Sequence, residues 1–291
     1  SHFDVDRSCI IDPIEHPLPF TPFKDLTDRP INEINLYSSE MASALCSIDR
    51  VSASANMNNR LSEAIVEAYK KTEGAPITFN MMLEEYQAKM TDAGKDDSIS
   101  SVLKQLVRAN IFEEEDKASL IDDCYIIKMD GYPKDGPIAK AIVYFIISKL
   151  NNIYEQIEKQ ATNEDVVQIR HFSIIDEAHY MLDFDNRPLR NLIAVGRNKG
   201  LSIILATQNM SSFKSKGFDF YANAQYPLIM KQQTIDDKVI KDLYGVSGQE
   251  LQEVRTAIAG LQKGELIIKD QMAFALGMGK KYKKINVTHL I

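Results

Sequence analysis

Apolar residues recur at helical spacing in three stretches of the first half of the chain. Met57, Leu61, Ala64, Ile65 and Ala68 share one face; Phe79, Met82, Leu83, Tyr86 and Met90 share a second; Ile99, Val102, Leu103, Leu106 and Val107 share a third. Recurrence every three to four residues marks amphipathic helices, each with one side to bury. Thr78 is placed to cap the second helix, because its hydroxyl can accept an N–H that the first turn leaves free, and Gly94 to end it. Residues 38–120 therefore read as an all-helical block. Its methionine-bearing faces suit a partner groove or core packing, and packing is the simpler reading. Glu113-Glu114-Glu115-Asp116 reads as a solvated turn.

On either side of this block the pattern changes. Residues 8–12 make a short apolar run ending at Asp12, followed by Pro13, Pro17, Pro19, Pro22 and Pro30, a stretch that must be extended loop and turn. Beyond residue 121, short apolar runs at 124–129, 172–175, 201–206, 227–230 and 265–268 alternate with helical patterns at 137–159, 188–197, 236–244 and 249–259. Such alternation predicts an α/β fold: a mainly parallel sheet with helices on its faces. The expected organisation is a core formed by residues 1–37 and 121–291, with 38–120 inserted as a helical subdomain. Ligands of such a sheet sit at the carboxyl ends of its strands.

Composition narrows the function classes. The 291 residues are 44 % apolar and 26 % charged, a globular balance. No apolar stretch approaches the roughly 20 residues that span a bilayer, and the first ten residues, with Asp4, Asp6 and Arg7, lack a signal-peptide pattern. Three dispersed cysteines, Cys9, Cys46 and Cys124, fit reduced thiols in the cytoplasm, and five scattered histidines offer no zinc-ligand spacing. A net charge of −7 argues against a general nucleic-acid binder, so any DNA contact falls to local loops. Lys214, Lys216, Lys231 and the run Lys280-Lys281-Tyr282-Lys283-Lys284 are the local candidates, though solvated lysines on an acidic protein explain them equally well.

The chemistry concentrates at two strand ends. Phe172-Ser173-Ile174-Ile175 reads as a buried parallel strand that stops at two carboxylates, Asp176-Glu177. A helix start also favours such acids. Leu201 to Ala206 is a second apolar strand, ending in Thr207-Gln208, and would point to the same rim. Between them lies Gly196-Arg197-Asn198-Lys199-Gly200, two cations flanked by glycines. Arginine offers a fixed fork for phosphate oxygens and lysine a point charge; a basic helix end stopped by glycine has the same appearance.

This order of motifs resembles the HerA/FtsK family of ring-forming, DNA-pumping ATPases, with the type IV secretion ATPases as cousins. The resemblance is carried by Ile11-Asp12-Pro13, Ile174-Ile175-Asp176-Glu177-Ala178-His179, Gly196-Arg197-Asn198-Lys199-Gly200 and Leu205-Ala206-Thr207-Gln208. It implies a recA-like sheet with helices on both faces. It further implies ATP and Mg as cofactors, with Asp176 holding Mg through water and Thr207 beside it, and Glu177 as general base. Gln208 would sense the γ-phosphate, and Arg197, with Lys199, would stabilise charge on nucleotide held by a neighbouring subunit. Expected partners are DNA, a hexameric ring of identical chains and, on a narrower likeness to phosphorothioation-dependent restriction systems, other restriction-complex subunits. No membrane is expected. Asp176-Glu177-Ala178-His179 also spells the tetrad of superfamily 2 helicases, but those place their arginine motif downstream of the second strand; His179 is therefore expected to pack.

One departure stands out. The family's phosphate loop, Gly-x-x-x-x-Gly-Lys-Ser/Thr, is absent; Gly277-Met278-Gly279-Lys280-Lys281 is its nearest likeness and lies at the wrong end of the motif order. Without that cradle of N–H groups the phosphates lose their main anchor. The expectation is a chain that starts downstream of the loop in its parent ATPase and hydrolyses little ATP alone. The rival readings are a catalytically inactive scaffold and a conjugation or type IV secretion ATPase.

Overall fold

The computed structural model describes residues 10–48, 53–90, 95–160, 167–182, 184, 186–208, 210–215, 218–277 and 279–287. The expectations for Cys9, Gly94 and Lys216 lie outside the described residues, as does the side chain of Lys214. The chain divides into two compact units, one built from Asp6–Ser173 and Asp183–Ile204, the other from Ile174–Leu182 and Leu205–Ile291.

The first unit is mostly helical. It begins with β1 (Ile10–Ile11), then α1 (Ile31–Ile48), α2 (Ala55–Lys71), α3 (Phe79–Ala88) and α4 (Ser98–Ala109). The three apolar stripes read from the sequence lie on α2, α3 and α4 and supply buried Leu61, Ile65, Met82, Tyr86, Val102 and Leu103. Side-chain caps fix their starts. Ser54 accepts from Met57 N–H at 3.3 Å and Thr78 from Met81 N–H at 3.2 Å, and Asp97 and Ser100 form a reciprocal capping box.

After β2 (Ile126–Ile127), which pairs in parallel with β1, comes α5 (Pro137–Gln156), with proline in its first turn where a missing N–H costs nothing. Its first half is buried, as the all-apolar run Ala141 to Ile147 requires. Its second half still buries Leu150, Asn151 and Tyr154 on one side.

The proline-rich stretch is built into this core rather than looping free of it. Leu18 bridges Phe112, and Leu18, Phe20, Phe23 and Leu26 are all buried. Phe23 meets Phe79 edge-on at 4.9 Å, and Phe145 of α5 contacts Phe79 at 5.1 Å and Phe112 at 5.9 Å. Edge-to-face rings at these distances add to area burial. Nearby, Lys24 N–H donates to Tyr37 Oη, and burial pushes that phenol up to about 12.

The unit is completed by α7 (Arg187–Val195), after the short α6 (His179–Leu182) of the second unit, and by most of two strands, β3 (His171–Ile175) and β4 (Leu201–Leu205). Asn186 caps α7 by accepting from Leu189 N–H at 3.1 Å. Arg170 N–H donates to Gly200 C=O at 2.7 Å where the strands begin, and Ala206 N–H to Ile175 C=O at 2.9 Å where they end. The partner numbers rise together, so β3 and β4 run parallel. The expectation that β3 is buried does not hold: Phe172 is 57 % and Ile174 69 % exposed. Among the described residues β3 and β4 form a two-stranded sheet, and Phe172 and Ile174 lie on an exposed face of β3.

The second unit holds β5 (Lys214–Ser215), β6 (Phe218–Asp219), α8 (Phe220–Asn223), β7 (Leu228–Met230), α9 (Asp237–Tyr244), α10 (Gly248–Ala259), β8 (Glu265–Lys269), α11 (Gln271–Leu276) and β9 (Tyr282–Asn286). Val239, Ile240 and Tyr244 of α9 and Val254 and Ile258 of α10 pack with Ile229 and Ile267 of the sheet. Here the expectation of a mainly parallel sheet fails. β7, β8 and β9 form an antiparallel sheet in that order, and β5 pairs antiparallel with β6. Two successive helices, not one, separate β7 from β8, so the chain re-enters the sheet in the opposite sense. Only β1–β2 and β3–β4 are parallel, and among the described residues the strands form separate small sheets.

Candidate functional site

Backbone pairing continues past the ends of β3 and β4 and sets the site. Beyond the bond from Ala206 to Ile175, Ala178 N–H donates to Ala206 C=O at 2.8 Å, so the turn at 176–178 is tied to the segment after β4. Ala178 is fully buried. Asp176 Oδ1 accepts from Glu177 N–H at 2.8 Å. Glu177 has φ 51°, the left-handed region that a residue with a side chain enters at a cost of about 1–2 kcal/mol.

That conformation brings Glu177 to Gln208. Gln208 Nε2 donates to Glu177 Oε1 at 2.6 Å. The other oxygen, Oε2, is buried and forms no hydrogen bond; it lies 3.3 Å from His179 Nδ1. The same ring nitrogen lies 3.3 Å from Thr207 Oγ1. The His179 ring rests against Tyr180, centroids 4.0 Å apart. The structure thus brings Asp176, Glu177, Thr207 and Gln208 together, as the sequence led one to expect, and adds His179. The expectation that His179 packs holds for its ring against Tyr180 and leaves out its approach to Glu177 and Thr207. His179 faces both strand ends, and the signal available in the sequence was its position two residues after Glu177, at the start of a helix following a strand.

Asp176 is exposed, and its second carboxylate oxygen has no partner among the described residues. A carboxylate engaged through one oxygen only could hold Mg through the other, by way of water, since Mg that keeps several waters needs only one or two protein carboxylates. No group of three or more His, Cys, Asp or Glu among the described residues could cage a bare ion.

Arg197 and Lys199 belong to the other unit. They lie on a 3-10 turn, Gly196–Lys199, that joins α7 to β4. Lys199 Nζ donates to the carbonyls of Tyr154 and Glu155, the latter at 3.2 Å, at the carboxyl end of α5. A cation there complements the free carbonyls and the helix dipole. Arg197 is exposed and makes no contact of this kind with any described residue. Gly200 ends the turn with φ 86°, and a Cβ there would lie 2.6 Å from Gln160 Nε2 and 2.7 Å from the Gln168 carbonyl. Gly200 is therefore required by the turn itself, whereas Gly196 has ordinary helical dihedrals.

The basic run is largely neutralised. Lys283 pairs with Asp270 at 2.9 Å, Lys284 with Glu265 at 2.6 Å and Lys281 with Glu250 at 3.4 Å. Gly277 is the left-handed stop of α11, with φ 64°, so the nearest likeness to a phosphate loop is a helix end. Among the described residues no helix is long and apolar enough to cross a membrane.

No protein-family model matches the chain, and no curated protein matches it in sequence. Solved structures do match in fold. VirB4 of Thermoanaerobacter pseudethanolicus superposes with TM-score 0.64 at 17 % identity, over 96 % of this chain and 75 % of that one. The plasmid coupling protein TrwB, solved with the non-hydrolysable ATP analogue ADPNP, superposes with TM-score 0.57 at 11 % identity, over 97 % of this chain and 74 % of that one. The bacterial conjugative coupling protein TrwB with sulfate gives 0.57 at 12 %, over 98 % and 75 %. At these identities the likeness is one of fold.

Proposed function

We propose that this chain is part of a HerA/FtsK-like motor ATPase, of the branch that serves conjugation or type IV secretion, working as a homo-oligomeric ring on a polymer such as DNA. The observation that carries the reading is the hydrogen bond between Gln208 and Glu177 at the ends of two parallel strands. It sets a carboxylate base and a phosphate-sensing amide within reach of one ligand. The fold shared with VirB4 and TrwB, and the ATP and GTP analogues with which TrwB was solved, favour this branch. Placement in a phosphorothioation-dependent restriction system, with restriction-complex partners, receives no support from these likenesses. In domain terms, residues 38–120 are proposed as a helical insertion in a recA-like core of 1–37 and 121–291.

ATP with Mg would supply the phosphoryl group and neutralise its charge. Asp176 would hold the Mg, with Thr207 beside it. Glu177 would act as general base through Oε1, the oxygen that Gln208 now occupies. Gln208 would be the sensor of the γ-phosphate, and Arg197 would serve nucleotide held by a neighbouring subunit. Lys199 supports that arginine by anchoring its turn to α5.

The 291 residues contain no phosphate loop, so the chain alone should turn over little or no ATP. In a polypeptide that carries it together with a Gly-Lys-Ser/Thr loop, turnover should appear. Glu177→Gln should then lower kcat at least about 100-fold, the usual worth of a general base. Equal turnover in wild type and Glu177→Gln would sink Glu177 as the general base, and no turnover in either would leave a non-catalytic scaffold.

A further inference from the structure

The two oxygens of Glu177 are held differently. Oε1 accepts from the exposed Gln208 at 2.6 Å, whereas Oε2 is buried, forms no hydrogen bond and lies 3.3 Å from His179 Nδ1. A buried carboxylate oxygen without a donor is costly, so the group nearest to it matters. If Nδ1 of the neutral ring carried its lone pair, that lone pair could accept from the Thr207 hydroxyl but would also face the carboxylate. If Nδ1 carried the proton, the same separation becomes a charge-assisted attraction.

We propose that His179 is a positioning residue: its Nδ1–H anchors the buried oxygen of Glu177, so that Gln208 can leave the exposed oxygen without releasing the carboxylate. The assignment of Glu177 as a base rests on the proposed ATPase function; the anchoring itself rests on geometry alone. His179 is suited to the role because it starts α6 directly after the turn that carries Glu177. Thr207 Oγ1, also 3.3 Å from Nδ1, ties the ring to the end of β4. A small movement of that end is thereby transmitted to the ring and not to the carboxylate alone.

The anchor predicts which ring nitrogen is protonated. Long-range proton–nitrogen spectra of the 291-residue chain, without nucleotide, should show neutral His179 as the Nδ1–H tautomer, the minor form of free histidine. Glu177→Ala should move the ratio toward Nε2–H by about tenfold, the worth of a hydrogen bond to a charged group. An Nε2–H ring in the wild type, or an unchanged ratio in Glu177→Ala, overturns the proposal.

A second pair of variants covers the case in which Glu177→Ala misfolds. Asparagine places a donor near the site of Nδ1, so His179→Asn should keep the Glu177 side-chain carboxylate resonance near its wild-type position, and His179→Ala should displace it. Equal displacement in both overturns the anchor. Because neither measurement needs nucleotide, the two ideas fail separately. Expected tautomers with no Glu177 dependence of ATP turnover break only the reading of Glu177 as the general base, whereas the wrong tautomer in a Glu177-dependent ATPase breaks only the anchor.

Discussion

The turn after β3 and the turn before β4 carry the two halves of the candidate chemistry, and they treat the same backbone problem in opposite ways. Each contains one residue in the left-handed region. Before β4 that residue is Gly200, which has no Cβ to strain, and the neighbouring Lys199 is bound to the end of α5. After β3 it is Glu177, whose side chain meets Gln208 and faces His179. The first turn is shaped for stability. The second accepts strain to aim a functional group, the pattern expected where conformation serves a site.

The largest test of this contrast is Gly200→Ala. A Cβ would press on the Gln168 carbonyl and the Gln160 amide at a positive φ. We expect a loss of about 2–4 kcal/mol in urea unfolding. A loss below about 0.5 kcal/mol, the scale of ordinary surface changes, would mean the turn does not need glycine.

An intermediate effect is expected from Lys199→Ala, about 1 kcal/mol, for the lost bonds to the last carbonyls of α5. Arg197→Ala, at an exposed and unengaged side chain, should stay within about 0.5 kcal/mol. If both variants lose the same stability, the division between a structural lysine and a free arginine collapses.

The finest comparison is Glu177→Gly against Glu177→Ala. Both remove the same contacts, and only glycine relieves the left-handed strain, so the glycine variant should be the more stable by about 1 kcal/mol. An alanine variant of equal or greater stability would show that the strain is absent.

Much of this molecule was legible in its sequence, for reasons that differ by region. The stripes on α2, α3 and α4 were readable because each helix buries a single face, and the Thr78 cap because its chemistry is local. Asp176, Glu177, Thr207 and Gln208 were legible as candidates because they lie within three residues of the ends of two apolar strands. What escaped were matters of partnership. Lys280 to Lys284 reads as a basic patch or as solvated lysines until Glu250, Asp270 and Glu265 are seen opposite it. Nothing local to Phe172 and Ile174 reveals that their side of β3 is open. His179 could not be assigned from spacing alone, because its partners are a left-handed residue and a threonine 28 positions away.

The aromatic cluster of the helical unit has a consequence for how the protein is made. Phe20 and Phe23 leave the ribosome early and meet Phe112 and Phe79 directly, but the cluster is completed by Phe145, on α5, which touches Phe23, Phe79 and Phe112. Helices α1 to α4 can form and begin to pack as they are synthesised, but the side of the aromatic cluster that Phe145 covers stays open until α5 has emerged. Contacts so distant in sequence close slowly, because the loop entropy is lost before the packing is gained. During that interval the nascent chain presents bare phenylalanines, the kind of surface that chaperones bind.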